Sequence, residues 1–120
     1  MEKEKYKDFD PGHEDNEGAK FDLGKQRYDL VPGDALDELV AVYTYGTKKY
    51  NEHNWRKGMH WSRIFGALMR HAWAFWRGED NDQESGLPHM AHAAWQCITL
   101  LNYCRTHPEL DDRVKDLENK

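Results

Sequence analysis

Between Glu79 and His92 the chain gathers four carboxylates, Glu79, Asp80, Asp82 and Glu84, and two imidazoles, His89 and His92, within fourteen residues. Oxygen and nitrogen donors at this density beside a helix start are what a divalent-cation site needs. The alternation Asp80-x-Asp82-x-Glu84 opens like a calcium loop, but the remaining ligand positions of an EF-hand are missing, which excludes that class of calcium sensor. His89 and His92 are three apart, so on a helix they share a face and can reach one ion or one phosphate together. A single helical histidine is more often packed or solvated than a ligand. The acids immediately upstream are what raise this pair above that reading.

A second acidic group, Asp34, Asp37 and Glu38, falls at another predicted helix start. Asp34 and Glu38 are four apart on one face, where like charges repel unless a cation joins them. Complementing the helix dipole accounts for Asp34 and in part for Asp37, and leaves Glu38 as a metal-ligand candidate. Among the basic residues, Arg63, Arg70 and Arg77 recur every seven positions and form either a solvated face or a stripe that positions phosphate oxygens. Lys20, Lys25 and Arg27 alternate with Phe21, Leu23, Tyr28, Leu30 and Val31, a pattern of a pinned loop with its cations outward, or of an ordinary solvated one. No nucleophile elbow, P-loop, dinucleotide glycine pattern or CxxC pair occurs.

These groups need helices to position them. Helix one opens at Gly33-Asp34 after Pro32 and buries Leu36, Leu39, Val40 and Tyr43; Gly46 weakens or ends it, unless Thr47 to Tyr50 add a turn. Helix two runs from about Ser62 to Arg77, with Ile64, Phe65, Leu68, Ala72 and Phe75 inward and Gly78 as its C-terminal cap. Helix three begins near Leu87-Pro88, buries Ala91, Ala94, Trp95, Ile98 and Leu101, and stops at His107-Pro108. A last amphipathic stretch, Glu109 to Leu117, predicts a short docking helix. No stretch alternates as a strand does. The organisation read from this is a flexible arm over 1–19, an all-α helical bundle over 20–107, and a short helix and tail over 108–120.

Hydrophobic residues make up 38% of 120 residues, low for a compact monomer, while five tryptophans, six tyrosines and four phenylalanines supply large burial areas. Three modest helices cannot bury all those tryptophans, so a homo-oligomer, dimer or tetramer, is expected. The net charge of −5 argues against duplex nucleic acid as a partner. The charged N-terminus and the lack of a long apolar run predict a cytoplasmic protein without membrane association, in the host cytoplasm if phage-encoded. Cys97 and Cys104, seven apart on one helix, are expected to be reduced core thiols.

Taken together, Lys20-Phe21-Asp22-x-Gly24-Lys25-x-Arg27-Tyr28-x-Leu30, Tyr45-Gly46-x-Lys48-Lys49-Tyr50-x-x-x-Asn54-Trp55, Arg70-His71 and Gly78-Glu79-Asp80-x-Asp82-x-Glu84-Ser85-Gly86-Leu87-x-His89-x-x-His92 resemble the phage-associated dATP/dGTP diphosphohydrolase family. This family, MazZ-like, is related to the MazG-type all-α NTP pyrophosphatases. The resemblance covers about residues 20 to 104. It implies an all-α pyrophosphatase fold, a Mg²⁺ or Mn²⁺ site, and hydrolysis of a purine deoxynucleoside triphosphate to monophosphate and pyrophosphate. The broader superfamily carries Glu-x-x-Glu and Glu-x-x-Asp helical pairs. Here Asp34-x-x-Asp37-Glu38 and His89-x-x-His92 stand instead, so the ligand set is rebuilt with the 80–84 loop or part of the site has moved.

On this reading Asp34, Glu38, Asp80, Asp82 and Glu84 are the metal-ligand candidates, with Glu38, Asp82 and Lys49 catalytic. Lys20, Lys25, Arg27, Asn54, Trp55, Arg70, His89 and His92 would bind the nucleotide, with Trp55 stacking on the base. Two other classes compete: a non-catalytic helical interaction protein, and a metal-dependent phosphohydrolase of another phosphate ester.

Overall fold

The computed structural model describes residues 23–115. The N-terminal arm expected over 1–19, Lys20 and Leu117 lie outside the described residues. The chain divides at Pro32 and Gly33 into two units. In the first, Arg27 precedes a 3-10 turn at Tyr28–Leu30 and grips Asp29 with two hydrogen bonds of 2.8 Å.

The second unit is built on α1 (Gly33–Lys49), α2 (Trp61–Trp76) and α3 (His89–Thr106). The described residues contain no strand, only an isolated bridge between Asn81 and Pro88, so the fold class is all-α as read from the sequence. Helix α1 begins directly after Pro32, with Asp34 in its first turn and Lys48 and Lys49 in its last, charges that both complement the helix dipole. It runs through Gly46 and takes the extra turn. Helix α2 ends where Gly78 adopts φ 105°, and the Gly78 and Glu79 N–H groups bond back to the Phe75 and Ala74 carbonyls. This turn releases the chain into the acidic segment. Helix α3 is central and packs against both α1 and α2.

The face that α3 buries differs from the one its hydropathy suggests. His89, Ala93, Gln96, Thr99 and Tyr103, spaced by three and four, are buried, as is Ala91, whereas Ile98 and Leu101 are exposed. Apolar residues lie all round this helix, so spacing alone does not choose a face, and the aromatic anchor Tyr103 decides its rotation. That ring is fully enclosed with Trp61 and Ile64, flanked by Trp55, Trp95, Leu100 and Leu110. Its hydroxyl donates to the Trp55 carbonyl. The same rotation turns Cys97 and Cys104 outward as exposed thiols, which corrects the expectation of core thiols. Leu36, Val40, Phe65 and Phe75 are likewise exposed, against expectation.

The predicted C-terminal helix is replaced by a 3-10 turn, Pro108–Leu110, followed by irregular chain to residue 115. Short acidic side chains divert the backbone. Asp112 accepts hydrogen bonds from the Ser62 N–H and hydroxyl at the start of α2, and Asp111 binds the Arg113 guanidinium. No helix among the described residues is long and apolar enough to cross a membrane.

Candidate functional site

The α2–α3 crossing brings His71 against His89, with their Nδ1 atoms 2.9 Å apart. Asp82, on the connecting loop, joins them: one ligand atom from each of His71, Asp82 and His89 lies within 4.8 Å of the others. The loop is braced to hold that carboxylate. Asp82 N–H donates to the Leu87 carbonyl, Gly86 N–H to the Asp82 carbonyl, and His89 N–H to the Asp80 carbonyl. The Ser85 N–H in turn donates to Asp82 Oδ2 at 2.9 Å. These internal bonds hold the segment, and with it the Asp82 carboxylate, in one conformation.

A second layer orients the imidazoles. Glu79 Oε1 lies 3.2 Å from His89 Nε2, the far side of the ring from His71, which is how a carboxylate fixes the tautomer of a metal-binding histidine. His92 stacks on His71 with ring centroids 4.6 Å apart and planes inclined by 8°. Its Nε2 lies 2.7 Å from the Ser85 hydroxyl and 3.9 Å from Asp82. Burial lowers the pKa of His71 and of His92, so both are neutral near pH 7 and available as ligands or proton acceptors. Burial pushes the Asp82 carboxyl upward, but its bonds from Ser85 and the nearby imidazoles win, and it is held below the usual carboxylate range. Two nitrogens and one carboxylate oxygen suit a transition-metal cation, Mn²⁺ included, better than Mg²⁺, which prefers oxygen alone.

The cluster opens on a cleft of about 640 Å³ between α1 and α3, within the size range of small-molecule sites. Tyr43, Trp55 and Trp95 give it an aromatic wall, with Tyr43 6.4 Å from Trp55 and 6.1 Å from Trp95 between ring centroids. At the other end Lys49 Nζ lies 2.7 Å from Glu84 Oε2, which also accepts the Tyr45 hydroxyl at 3.1 Å. The hydrogen bond from Lys49 holds the Glu84 carboxyl low, and the same contact raises the lysine.

Of the residues singled out in the sequence, Lys49, Asn54, Trp55, Asp82, Glu84 and His92 line this cleft, and His89 stands in the cluster behind it. Asp82 parts from its neighbours in the acidic run: Glu84 is taken by Lys49 and Tyr45, and exposed Asp80 contributes its carbonyl to the start of α3. Asp34 and Glu38 are exposed on α1 and stand outside the ligand cluster, and Asp34 bonds the Ala35 N–H. Arg63, Arg70 and Arg77 are exposed and do not line the cleft. Lys25 is exposed, and Arg27 holds Asp29, both in the first unit. Tyr45, His71 and Ser85 entered the sequence reading only through the family motif, and Glu79 only as a member of the acidic run and that motif, none with a role of its own. His71 and His89 are 18 residues apart on different helices, so no spacing rule joins them.

Residues 15–113 match a family model described as "dATP/dGTP diphosphohydrolase, N-terminal". The chain belongs to that family. A relative named dATP/dGTP diphosphohydrolase, from Salmonella phage PMBT28, is 34% identical over 96 residues, or 80% of this chain. The chain spans only 33% of the length of that curated relative. No solved structure matches it.

Proposed function

We propose that this chain hydrolyses dATP and dGTP to the monophosphate and pyrophosphate, with Mn²⁺ or Mg²⁺ held by His71, Asp82 and His89, and so acts in control of the nucleotide pool. One observation carries the reading: a single cleft joins a three-ligand cluster to an aromatic wall, in a chain whose family and relative bear the name of this activity. The residue types divide the labour as a triphosphate needs. Tyr43, Trp55 and Trp95 offer flat apolar surface to a base. Lys49 offers a point charge to the phosphates.

His71, Asp82 and His89 would hold the divalent ion, which would supply charge neutralisation and a more acidic water. His92, kept neutral by burial and lining the cleft, takes the proton of the attacking water at Nε2, with the Ser85 hydroxyl giving way there. The water oxygen bonds the α-phosphorus, the bond from that phosphorus to the α,β-bridging oxygen breaks, and pyrophosphate leaves with the electron pair. Glu79 keeps the His89 ring fixed throughout, and Lys49 stabilises the departing charge.

The active form is an oligomer in this account. Phe65, Met69 and Trp73 are spaced by four on α2 and stand 52%, 49% and 58% exposed, with Trp76 at 75% beyond them. Exposed apolar residues grouped in this way support a protein interface on this face. A panel of deoxy- and ribonucleoside triphosphates, incubated with Mn²⁺ or Mg²⁺ and resolved by chromatography, tests the activity. Purine deoxynucleotides should yield monophosphate and pyrophosphate. Orthophosphate as the first product would make the protein a different phosphohydrolase, and no turnover of any nucleotide would leave a binding protein.

A further inference from the structure

Gln96 lies on the buried face of α3, is 8% exposed, and lines the cleft beside Trp95. Its Oε1 is shielded from solvent and has no hydrogen-bond partner. An amide there costs the desolvation of that oxygen with nothing gained in packing, since leucine or methionine would fill similar space without a polar atom. Thr99 Oγ1, one turn on, is also without a partner but does not line the cleft. Gln96 is therefore the buried polar side chain of the cleft, and half a turn of its amide, which exchanges Oε1 with Nε2, is what would bring that oxygen to a ligand.

We propose that Gln96 reads the purine base through the Watson–Crick edge. The proposal rests on the nucleotide reading above and adds the determinant of base choice. His89 and Gln96 are seven residues apart on one helix, which places them on nearly the same face and about 10 Å apart along the axis. A nucleotide covers that interval from its phosphate chain, through the sugar, to the far edge of a purine. Tyr43 and Trp95, which lie against each other, line the same cleft and supply surface for the ring in between. The shorter pyrimidine ring would leave the amide unreached.

The chemistry explains how one side chain accepts two purines. Adenine presents an acceptor at N1 and a donor at the 6-amino group; guanine presents a donor at N1 and an acceptor at O6. An amide carries one donor and one acceptor, and half a turn about its last bond exchanges them. Gln96 thus bonds either base in one pose. A carboxylate has two acceptors instead. It matches the N1 and 2-amino donors of guanine and repels the N1 lone pair of adenine.

The test compares kcat/KM for dATP and dGTP in the wild-type protein, Gln96→Glu and Gln96→Leu, together with melting-temperature shifts given by dAMP and dGMP, which need no turnover. Gln96→Glu should raise the preference for guanine over adenine at least tenfold in both readouts, and Gln96→Leu should weaken both nucleotides by roughly equal factors. A Gln96→Glu ratio within threefold of wild type, or a Gln96→Leu protein that binds both monophosphates as wild type does, makes Gln96 a structural amide and overturns the proposal. Wild-type protein that binds both purines yet hydrolyses neither sinks the hydrolase reading instead, and the binding ratios still decide the role of Gln96.

Discussion

His71 Nδ1 and His89 Nδ1 lie 2.9 Å apart across the α2–α3 crossing. Two neutral imidazoles at that distance share a proton as a hydrogen bond. Two imidazoles on one cation come equally close when they occupy adjacent positions, since bonds of about 2.1 Å at a right angle separate the nitrogens by about 3 Å. The same side-chain placement would therefore suit a cation held by both rings without moving a helix.

Asp82→Asn keeps the side-chain volume and an oxygen for the Ser85 N–H while removing the charge a cation needs. It should cost tenfold to a hundredfold in Mn²⁺ affinity or more, and lower turnover by a comparable factor at fixed metal concentration. Thermal melting with and without Mn²⁺ checks this. The wild-type protein should gain melting temperature with metal. An unchanged gain in the variant would take Asp82 out of the ligand set.

His89 is buried, so its replacement has a structural cost that His92 does not share equally. His89→Ala leaves His71 Nδ1 without its partner and Glu79 with Gln83 alone, and should destabilise the apo protein by about 1–3 kcal/mol, besides abolishing metal binding. Chemical denaturation in chelator measures the apo cost directly. A His89→Ala protein as stable as the parent would mean that its ring holds nothing in place.

Acid should expose opposite signs in two histidines. Burial lowers the His92 pKa in the folded state, so as pH falls below about 6.5 the unfolded chain takes up the proton first and this residue subtracts stability. His107 is raised, first by its bond to the Arg56 carbonyl and then by the Glu109 carboxylate, so its contribution is full below about 6.5 and is lost as pH rises through the folded value. Melting curves across pH should show His107→Gln most destabilised in acid. His92→Gln should instead gain on the wild type in acid, and the reverse ordering would contradict both assignments.

The exposed stripe on α2 predicts a particular disruption. Trp73→Glu places a charge where an apolar partner surface is expected, and should shift the protein toward monomer in light scattering with the isolated helix content intact. A wild-type protein that is strictly monomeric at micromolar concentration and fully active would remove the oligomer from the account.

The sequence was most legible where local rules act. Pro32 before α1 and Gly78 after α2 gave boundaries within a residue or two, because proline and glycine act on their own backbone. The rotation of α3 was not legible, since its apolar residues surround it and Tyr103 anchors it through contacts distant in sequence. In the site, Lys49, Trp55, Asp82, His89 and His92 were visible as residue types in dense or unusual patterns. His71 and Glu79 stood in the sequence without assigned roles, because those roles exist only once α2 has crossed α3. The C-terminal helix failed for a related reason: Asp112 finds its partner at Ser62, fifty positions away in sequence.

The central claim, water attack at the α-phosphorus in this cleft, is tested most directly by hydrolysing dATP in heavy-oxygen water with Mn²⁺ and locating the label by mass spectrometry. The account predicts one labelled oxygen in dAMP and unlabelled pyrophosphate. Label in pyrophosphate, or dADP and labelled orthophosphate as the products, would contradict it.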